Sequence, residues 1–523
     1  MSNPKSAEIN PSQETQKPDT FPPQQHIHEQ DELSTHIKTV QNVALADATA
    51  KQKPSLWTWR MGQLSLILLL ATLNAAVNGY DGSVMGSINS YAQYRSYFGF
   101  SLTEGTPATG IVYAIFTIGN LVGAGFAGPA ADWKGRRWGV GAAMGPSSAL
   151  PYVSEMAHPS FRGAMTGVYT TFYFVGAIPG TFIPYGTSYI NGSQAWRIPL
   201  WLQMTFSGIV FVSVLFLPES PRWLIANDRH EEALDIMAKY HGEGDRDSPL
   251  VQLELREMIE EISKTGADKR WWDFRELFDS REVKYRTMLT CAIALFGQWT
   301  GNGPVSYYYP QMLAGAGIEN NHTQLLLQGM QSVLSFIGAL IGAAYTDHWG
   351  RRPQLLISTS LISLLFLIIL ILNALNTTTS PSTHITVAKS AATSSAEIAM
   401  IFLFSFVFAA GWTPLQGLYA VEVLRYESRA KGMALYTLVG NVAGFYNTFV
   451  TGIAFSRVGW KYYYLFIFWD LLEVAFIYLE ELTEIFNAAK PVKYSLRKSE
   501  VLFHGNEGVT EVFEKEKEKQ NSG

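Results

Sequence analysis

Asp132-Trp-Lys-Gly135-Arg136-Arg137 is the stretch that decides the fold, because it occurs a second time as Asp347-His-Trp-Gly350-Arg351-Arg352. Each copy directly follows an apolar segment of the chain. Glycine permits the backbone conformation of a tight turn, and arginine forms strong charge-assisted bonds with carboxylates. The pattern is therefore suited to a short loop between two helices, and its repetition predicts a chain built from two similar halves.

Each copy is followed by a glutamate and an arginine that are seven residues apart. Glu155 precedes Arg162 by seven residues, and Glu422 precedes Arg429 by the same number. We predict that these carboxylates pair with guanidinium groups of the neighbouring loops and latch helices together in one conformation of a carrier. Parallel repetition of a six-helix half is the plan of one large class of membrane transporters.

The composition favours a membrane protein made only of helices. Apolar residues make up 47% of the 523 residues and charged residues 16%, against roughly 25% charged residues in soluble domains. Several segments approach the ~20 residues that a helix needs to cross a bilayer. We expect spans at about 62–80, 108–129, 164–188, 198–217, 286–310, 323–345, 354–375, 397–419, 430–455 and 461–480.

Polar stretches divide the chain into five predicted regions. They are a disordered cytoplasmic tail at 1–60, a first transmembrane bundle at 61–220, a central cytoplasmic loop with amphipathic helices at 221–285, a second bundle at 286–482 and a second tail at 483–523. The polar N-terminal region is low in hydrophobicity, as disordered segments are. It shows no cleavable signal peptide, so we expect the first apolar segment to act as an uncleaved anchor.

The distribution of charge predicts the orientation. If both termini are cytoplasmic, all but five of the 39 Lys and Arg fall on the cytoplasmic side, as the positive-inside rule requires. Three Asn-x-Ser/Thr sequons, at Asn191, Asn321 and Asn376, then all lie in external loops and are candidate glycosylation sites. We therefore predict a multi-pass protein of the plasma membrane with both ends inside the cell.

Further motifs resemble one family. They are Asn78-Gly-Tyr-Asp81-Gly, the two Asp-x-x-Gly-Arg-Arg loops, Pro218-Glu-Ser-Pro-Arg222-Trp-Leu, Gln298-Trp-Thr-Gly-Asn302-Gly and the segment from Gly411 to Glu422. In this order they resemble the sugar porter family of the major facilitator superfamily, nearest to its fungal hexose and lactose permease branch. The resemblance implies a two-bundle fold that transports a sugar by alternating access.

The first half is shorter than the second. Asp132 and Glu155 are 23 residues apart, whereas Asp347 and Glu422 are 75 apart, and the longer interval carries two predicted spans. Only Trp138–Ser154 is available for them in the first half, which is too short to span a bilayer twice. The family's third helix and most of its fourth thus have no counterpart, and about 10 spans are expected instead of 12. The family's Pro-Glu-Thr-Lys-Gly segment, expected after the last span, is also absent.

Asp81 is the candidate for proton coupling. Charged residues inside a membrane are costly, so each is a functional candidate. In proton-coupled members of the family the carboxylate at this position binds the proton, and the resemblance implies that role here. The arginine that partners it in the family lies on the fourth helix, in the missing stretch. Asp470 and Glu473 also lie within a span, and we expect a structural role for them.

The candidate sugar site comes from the second half. Sugars need groups that donate and accept hydrogen bonds, and aromatic surfaces for their apolar faces. The resemblance implies that the binding residues are Gln298, Asn302, Tyr307, Tyr308, Trp412, Asn441 and Asn447. The chain departs from the family at two positions, with Phe172 in place of a glutamine and Gly417 in place of a tryptophan. The smaller residue at 417 would admit a larger sugar, such as a disaccharide.

The predicted latch comprises the charged residues of both repeats and of the Pro218 motif. They are Asp132, Arg136, Arg137, Glu155, Arg162, Glu219, Arg222, Asp347, Arg351, Arg352, Glu422 and Arg429.

Other functions stay open beside the leading one. The chain could carry a non-sugar solute such as a polyol, or be a transport-deficient or sensor-like paralogue. An enzyme is not expected, because no nucleophile–base pair, metal cluster or phosphate loop appears in the sequence. No cofactor, metal or nucleic-acid partner is predicted; the expected partners are a sugar, protons and the lipid bilayer.

Overall fold

The computed structural model describes residues 37–39, 58–99, 115, 118–119, 121–123, 134–141, 146–265, 274–318, 320–379, 386–388, 390–424, 429–487, 500–503 and 509–511. Over most of this range the protein is helical, as the composition predicts. The predicted span 108–129 lies almost entirely outside the described residues.

The first half contains helices α1 to α7. Their bounds are α1 Trp59–Ile88, α2 Ala92–Phe98, α3 Arg136–Gly141, α4 Pro146–Met156, α5 Arg162–Thr171, α6 Tyr173–Thr187 and α7 Gln194–Ser213. The long helices α1 and α6 pack with their backbones close together: a Cβ atom added to Gly176 would meet the carbonyl oxygen of Ala76 at 1.8 Å. Small residues at such a crossing are typical of helices packed in lipid.

The central loop forms α8 Pro221–Ala226, α9 His230–Tyr240 and α10 Pro249–Thr265. Met237, Val251 and Met258 are buried members of a small core of their own under these helices. Two acidic residues, Glu231 and Glu232, lie in the first turn of α9, where they complement the positive end of the helix dipole. The predicted helices of the loop are therefore present.

The second half contains α11 to α18. Their bounds are α11 Arg281–Trp299, α12 Asn302–Tyr307, α13 Tyr309–Gly315, α14 Asn321–Trp349, α15 Arg351–Asn376, α16 Ala391–Val423, α17 Arg429–Val458 and α18 Tyr463–Asn487. Helices α11 and α12 are separated at Thr300–Gly301, where Gly301 adopts φ +86°. This left-handed conformation favours glycine and ends the helix in the middle of a predicted span.

Five helices in the described part of the chain are long and apolar enough to cross a membrane. They are Trp59–Ile88, Gln194–Phe216, Asn321–Thr346, Arg351–Leu375 and Ala392–Val423. The other predicted spans correspond to α17, α18 and to helices interrupted along their length: α5 and α6 meet at Phe172, and α11 and α12 meet at Gly301.

In the short stretch Trp138–Ser154 the structure describes parts of two helices, α3 of 6 residues and α4 of 11 residues. Neither reaches the ~20 residues of a membrane span. Val140, Tyr152 and Val153 are buried in the core of the first half, and Asn74 of α1 donates a hydrogen bond to the carbonyl of Val140 at 3.2 Å. The two short helices therefore pack against α1.

Two short strands, β2 Thr377–Thr379 and β3 Thr386–Ala388, pair in antiparallel register. In the described parts of the terminal regions, β1 Ile37–Thr39, β4 Glu500–Phe503 and β5 Val509–Glu511 form a small antiparallel sheet in the order β1-β4-β5. Most of the predicted tails 1–60 and 483–523 lies outside the described residues.

Candidate functional site

Asp81 lies within a helix rather than near its end. The predicted span stopped at residue 80, but α1 continues to Ile88, so about two further turns follow Asp81. The carboxyl group is half-buried and interacts with the side chain of Gln203 on α7. Among the described residues, no lysine or arginine lies at ion-pair distance from it, and its known neighbours are therefore neutral.

Two phenol groups meet beside Asp81, at Gly82. A Cβ atom added to Gly82 would lie 3.2 Å from the hydroxyl oxygen of Tyr173 and 3.8 Å from that of Tyr307. Tyr173 belongs to α6 of the first half, and Tyr307 to α12 of the second. Polar groups of both halves thus converge on one point of α1.

Three of the predicted sugar-binding amides lie along the interrupted helix and on α17. Gln298 and Asn302 flank the break at Gly301, and both are half-buried. The Gln298 side-chain oxygen would lie 3.2 Å from a Cβ atom added to Gly444 of α17. Asn302 accepts a hydrogen bond from Ser306 at 3.2 Å, and Asn441 is half-buried one helical turn before Gly444.

Three other predicted sugar-binding residues are instead used in packing. Trp412 is 0% exposed in the core of the second half and donates from Nε1 to Thr359 at 3.1 Å. Tyr308 is buried and donates to the carbonyl of Thr448 at 2.8 Å. Asn447 is buried and donates to the carbonyl of Gln298 at 2.6 Å, close to the helix break. Their polar atoms already have partners within the bundle, so we leave these three out of the candidate site.

The first-half latch is assembled from three elements. The Nε of Arg136 lies 3.7 Å from Oε2 of Glu155, which also accepts a hydrogen bond from Ser220 at 2.5 Å. Arg137 lies 3.6 Å from Glu219, which follows the last helix of this half, and its backbone N–H donates to the same carboxylate at 3.1 Å.

Gly135 makes this approach possible. It adopts φ +110°, and an added Cβ atom would lie only 2.1 Å from Oε2 of Glu219. Burial raises the pKa of Glu219, and the nearby N–H groups and the Arg137 charge oppose that shift.

In the second-half latch, Arg351 pairs with a glutamate as the equivalent Arg136 does. Arg352, equivalent to Arg137, has different partners. Arg351 donates from Nε and Nη2 to the two oxygens of Glu422, at 3.1 and 3.0 Å. Arg352 donates instead to the backbone carbonyls of Ile477 and Tyr478 of α18, at 2.7 and 3.3 Å. The repeated motif thus reaches the last helix of each half, through a carboxylate in one and through carbonyls in the other.

Arg162 was predicted as a latch residue beside Glu155, but it lies 3.6 Å from Glu254 of α10. Glu254 is buried and also contacts His241, whose Nδ1 lies 2.7 Å from its Oε2. The opposite nitrogen of His241 lies 3.2 Å from the carbonyl oxygen of Met156. No sequence motif pointed to this cluster, because its members come from three separate segments.

Burial and the neighbouring charges have opposite effects on the pKa of Glu254, whereas burial and His241 together lower the pKa of His158. Burial alone would raise the pKa of Glu254, but His241 and Arg162 hold it below its ordinary value. Burial, with the neighbouring His241, lowers the pKa of His158 from 6.5 to about 4. The rings of His158 and His241 have centroids 5.4 Å apart, so the cluster ties the central loop to the end of α4.

The remaining predicted residues fall as follows. Arg222 is half-buried in the first turn of α8, Asn191 is exposed, and Asn321 is half-buried at the start of α14. Asp132 lies outside the described residues, as do the side chains of Asp347, Asn376 and Arg429.

Comparison with known proteins gives consistent matches. The family model described as "Sugar (and other) transporter" matches residues 67–145 and 139–482. The two matched segments therefore meet within 139–145, at the shortened part of the first half.

Similar proteins come from fungi. The chain is 28% identical to the MFS glucose transporter mfs1 of Aspergillus flavus, over 85% of this chain and 95% of that protein. It is 29% identical to the high-affinity glucose transporter of Kluyveromyces lactis, over 63% of this chain and 60% of the relative's length. The quinate permease of Emericella nidulans is 24% identical over 58% of this chain and 64% of the permease.

The fold matches a solved bacterial structure. XylE, a proton:xylose symporter, superposes with a TM-score of 0.64 at 16% identity, over 80% of this chain and 96% of XylE. A partially occluded inward-open conformation of XylE from E. coli gives a TM-score of 0.62. At this identity the likeness concerns the fold alone.

Proposed function

The chain belongs to the sugar (and other) transporter family, and from this premise we propose that it carries a sugar, a hexose or a disaccharide, across a membrane by alternating access. As a member of that family it is a multi-pass membrane protein and not an enzyme. The identity of the substrate and the use of protons are part of the proposal.

The observation that carries the proposal is the meeting of polar groups from both halves at Gly82. Tyr173 of the first half and Tyr307 of the second converge there, next to Asp81. A carrier that rocks two bundles about a central site needs ligands on both bundles. A substrate held between these phenols would be released as the two bundles separate on one side.

The chemistry of the candidate site suits a neutral polyhydroxy compound. Gln298, Asn302 and Asn441 offer amides that can donate and accept at once, as pairs of sugar hydroxyls require. Tyr307 offers both an aromatic face and a hydroxyl group. Gln298 and Asn302 flank the break at Gly301, so binding a sugar to both would also fix the relative positions of α11 and α12.

The latches support the conformational part of the proposal. In both halves the first arginine of the repeat pairs with the glutamate that follows it, as Arg136 with Glu155 and Arg351 with Glu422. Such pairs at one end of the bundles can form in one conformation and break in the other. On the predicted orientation they lie at the cytoplasmic ends of the helices, one pair within each half.

Proton coupling through Asp81 is supported by its place within a span and by its neutral partner Gln203. A carboxyl group there can gain a proton from one side and release it on the other. A cyclic acid such as quinate is less well suited as a substrate, because Asp81 is the charged group at this point and would repel an anion.

The proposal is tested by uptake of a panel of labelled sugars in a yeast that lacks its own sugar carriers. We expect saturable uptake of at least one hexose or disaccharide. Gln298→Ala should raise the half-saturating sugar concentration about tenfold, since one lost hydrogen bond of a bound polar group costs about 1–1.5 kcal/mol.

Gln331→Ala is the matched control. Its amide belongs to the same half but donates to Ser405 at 2.6 Å, away from the candidate site. At equal surface level it should keep the half-saturating concentration within about twofold. Uptake of a polyol and of no sugar would instead favour a non-sugar carrier.

A further inference from the structure

Two acidic side chains lie buried in the last helix of the second half. Asp470 and Glu473 are both 0% exposed. They follow Tyr463, the first residue of α18, by seven and ten residues, which at 1.5 Å per residue puts them roughly 10–15 Å along the helix. They are three residues apart and therefore lie on the same face of the helix.

None of their four carboxyl oxygens has a hydrogen-bond partner of good geometry among the described residues. The indole N–H of Trp469 and the hydroxyl of Thr300 face Glu473 and are the donors beside the pair. Buried polar groups in proteins are almost always satisfied. Four acceptors beside two poorly placed donors point to something further that the pair binds.

The groups that face the pair carry no positive charge. From α11, Thr300 interacts with Glu473, and the ring of Trp299 packs on Trp469 with centroids 4.8 Å apart. From α17, Tyr446 stacks on Trp299. From α15, Arg352 is the charged group that reaches α18, and it donates to the carbonyls of Ile477 and Tyr478, one turn beyond Glu473.

The other groups near this helix are uncharged tyrosines and an acid. Tyr462, in the turn before α18, bonds to Thr451 at 3.1 Å. Glu397 of α16 lies beside Tyr463 and accepts a hydrogen bond from Asn373 at 2.5 Å. No described lysine or arginine lies at ion-pair distance from Asp470 or Glu473.

Two adjacent carboxylates cannot both be ionised in such surroundings. An uncompensated charge buried away from water costs several kcal/mol, and two like charges side by side add repulsion. The pair therefore holds at least one proton when the bundle is closed as in this structure. Resting on the sugar transport proposed above, we propose that Asp470 and Glu473 form a second proton-binding site, in the second bundle, whose proton is exchanged during the transport cycle.

The position of the pair connects it to the sugar site. Glu473 touches Thr300, which precedes the break at Gly301 and lies two residues from Gln298 on one side and two from Asn302 on the other. Loss of the proton creates a buried charge that is stabilised only if water or a donor reaches it. A change of backbone angle at Gly301 would let water or a hydrogen-bond donor reach the carboxylate. The same change would move Gln298 and Asn302, so proton release and movement of the sugar-binding amides are coupled.

The first test is chemical labelling and does not depend on sugar transport. Dicyclohexylcarbodiimide reacts with protonated carboxyl groups in apolar surroundings. We expect it to label the full-length protein in membranes at pH 7, on the peptide that contains Asp470 and Glu473, as read by mass spectrometry. The double variant Asp470→Asn with Glu473→Gln should lose that label, while the exposed Glu232 stays unlabelled throughout. Absence of label from this peptide at pH 7 would overturn the proposal.

The second test measures uptake against pH. If Asp81 and the pair both exchange protons, Asp81→Asn should leave a residual dependence of uptake on pH, and adding Glu473→Gln should bring the ratio of uptake at pH 5 to that at pH 7.5 down to about one. Glu397→Gln is the matched control, because Glu397 is equally buried in the same half but bonds to Asn373, and its profile should stay unchanged.

The outcomes separate the two proposals. Labelling of the pair with an unaltered pH profile in Glu473→Gln would show a fixed structural proton and would overturn the exchange. Absence of uptake by every variant would refute the proposed function, and the labelling result would then decide whether the pair binds a proton. Addition of a transported sugar should change the labelling rate, since the bend at Gly301 is shared.

Discussion

Arg136 and Arg351 occupy equivalent positions in the two halves, and each lies against the glutamate that the repeat assigns to it. Their contacts differ in detail. Arg351 uses two N–H groups on both oxygens of Glu422, whereas Arg136 approaches one oxygen of Glu155, which Ser220 also engages. The Arg351–Glu422 pair is partly exposed, and exposed ion pairs contribute only about 0.2–1 kcal/mol. A pair of this strength can break in every cycle, which is what a latch between two conformations requires; the Arg136–Glu155 pair is more buried.

At the same scale, Asp81→Asn should abolish accumulation of sugar against a gradient while sparing exchange of internal for external sugar. An amide keeps the shape of the carboxyl group and its contact with Gln203 but cannot carry a proton. Accumulation and exchange are measured with labelled sugar in vesicles that have an imposed pH gradient. Undiminished pH-driven accumulation by this variant would remove Asp81 from the mechanism. Gln203→Glu is a useful companion, because a second acid beside Asp81 should alter the pH dependence.

At the scale of elements, α9 and α10 are tied to the first bundle by a few buried polar contacts. Glu254 of α10 meets His241 after α9 and Arg162 at the start of α5, and His241 reaches the carbonyl of Met156 at the end of α4. These contacts join the loop between the halves to the short helix α4.

The docking of α9 and α10 should weaken in acid. The folded pKa of His158, about 4, lies below its ordinary 6.5, so the released state takes up the proton first. The buried, neutral His158 therefore stabilises the docked state of α9 and α10 above pH 6.5, and this stabilisation is lost as the pH falls from 6.5 toward 4. Glu254 acts in the same direction, because its folded pKa is also lowered.

Hydrogen exchange of residues 230–265 measures this docking. We expect exchange to become faster between pH 6.5 and 4.5, after correction for the intrinsic rate. His158→Gln, which cannot be protonated, should reduce the part of that change that comes from His158. An identical pH dependence in both proteins would assign the effect to other groups.

At the scale of the whole molecule, the sequence predicted the features that repeat or that have a period. The repeat predicted the partners of Arg136 and Arg351, and the apolar segments predicted most of the helices. It did not predict that Trp412 and Asn447 serve packing, because Thr359 and the carbonyl of Gln298 come from helices distant in sequence. Nor did it reveal the His241–Glu254 cluster, because single polar residues that meet only in the folded protein form no recognisable pattern in the sequence.

The shortened first half leads to a prediction for the complete protein. We propose that the family's third helix and most of its fourth are missing, in agreement with the meeting of the two matched segments at 139–145. The chain should then reach the cell surface poorly or transport weakly, because the first bundle packs with fewer full-length helices than the second.

Insertion of the family's two helices between Gly139 and Gly145 should restore transport. Surface level and sugar uptake are compared for the natural chain, this insertion and an equally long Gly/Ser insertion as control. We expect uptake to rise only with the helical insertion. Equally robust, saturable uptake by the natural chain and the helical insertion would contradict the prediction.

The contact of Arg352 with backbone carbonyls has a consequence for how the two halves tolerate mutation. Arg137 depends on the side chain of Glu219, and one nucleotide change can remove that acid. The oxygens of Ile477 and Tyr478 that Arg352 uses remain whatever side chains stand at those positions, as long as the helix persists. A deep mutational scan should therefore find residue 219 intolerant, the exposed position 478 permissive, and the buried position 477 permissive to apolar replacements of similar size, with proline excluded at both. Drift in sequence at the end of the second half would leave its latch intact, whereas the same drift in the first half would break it.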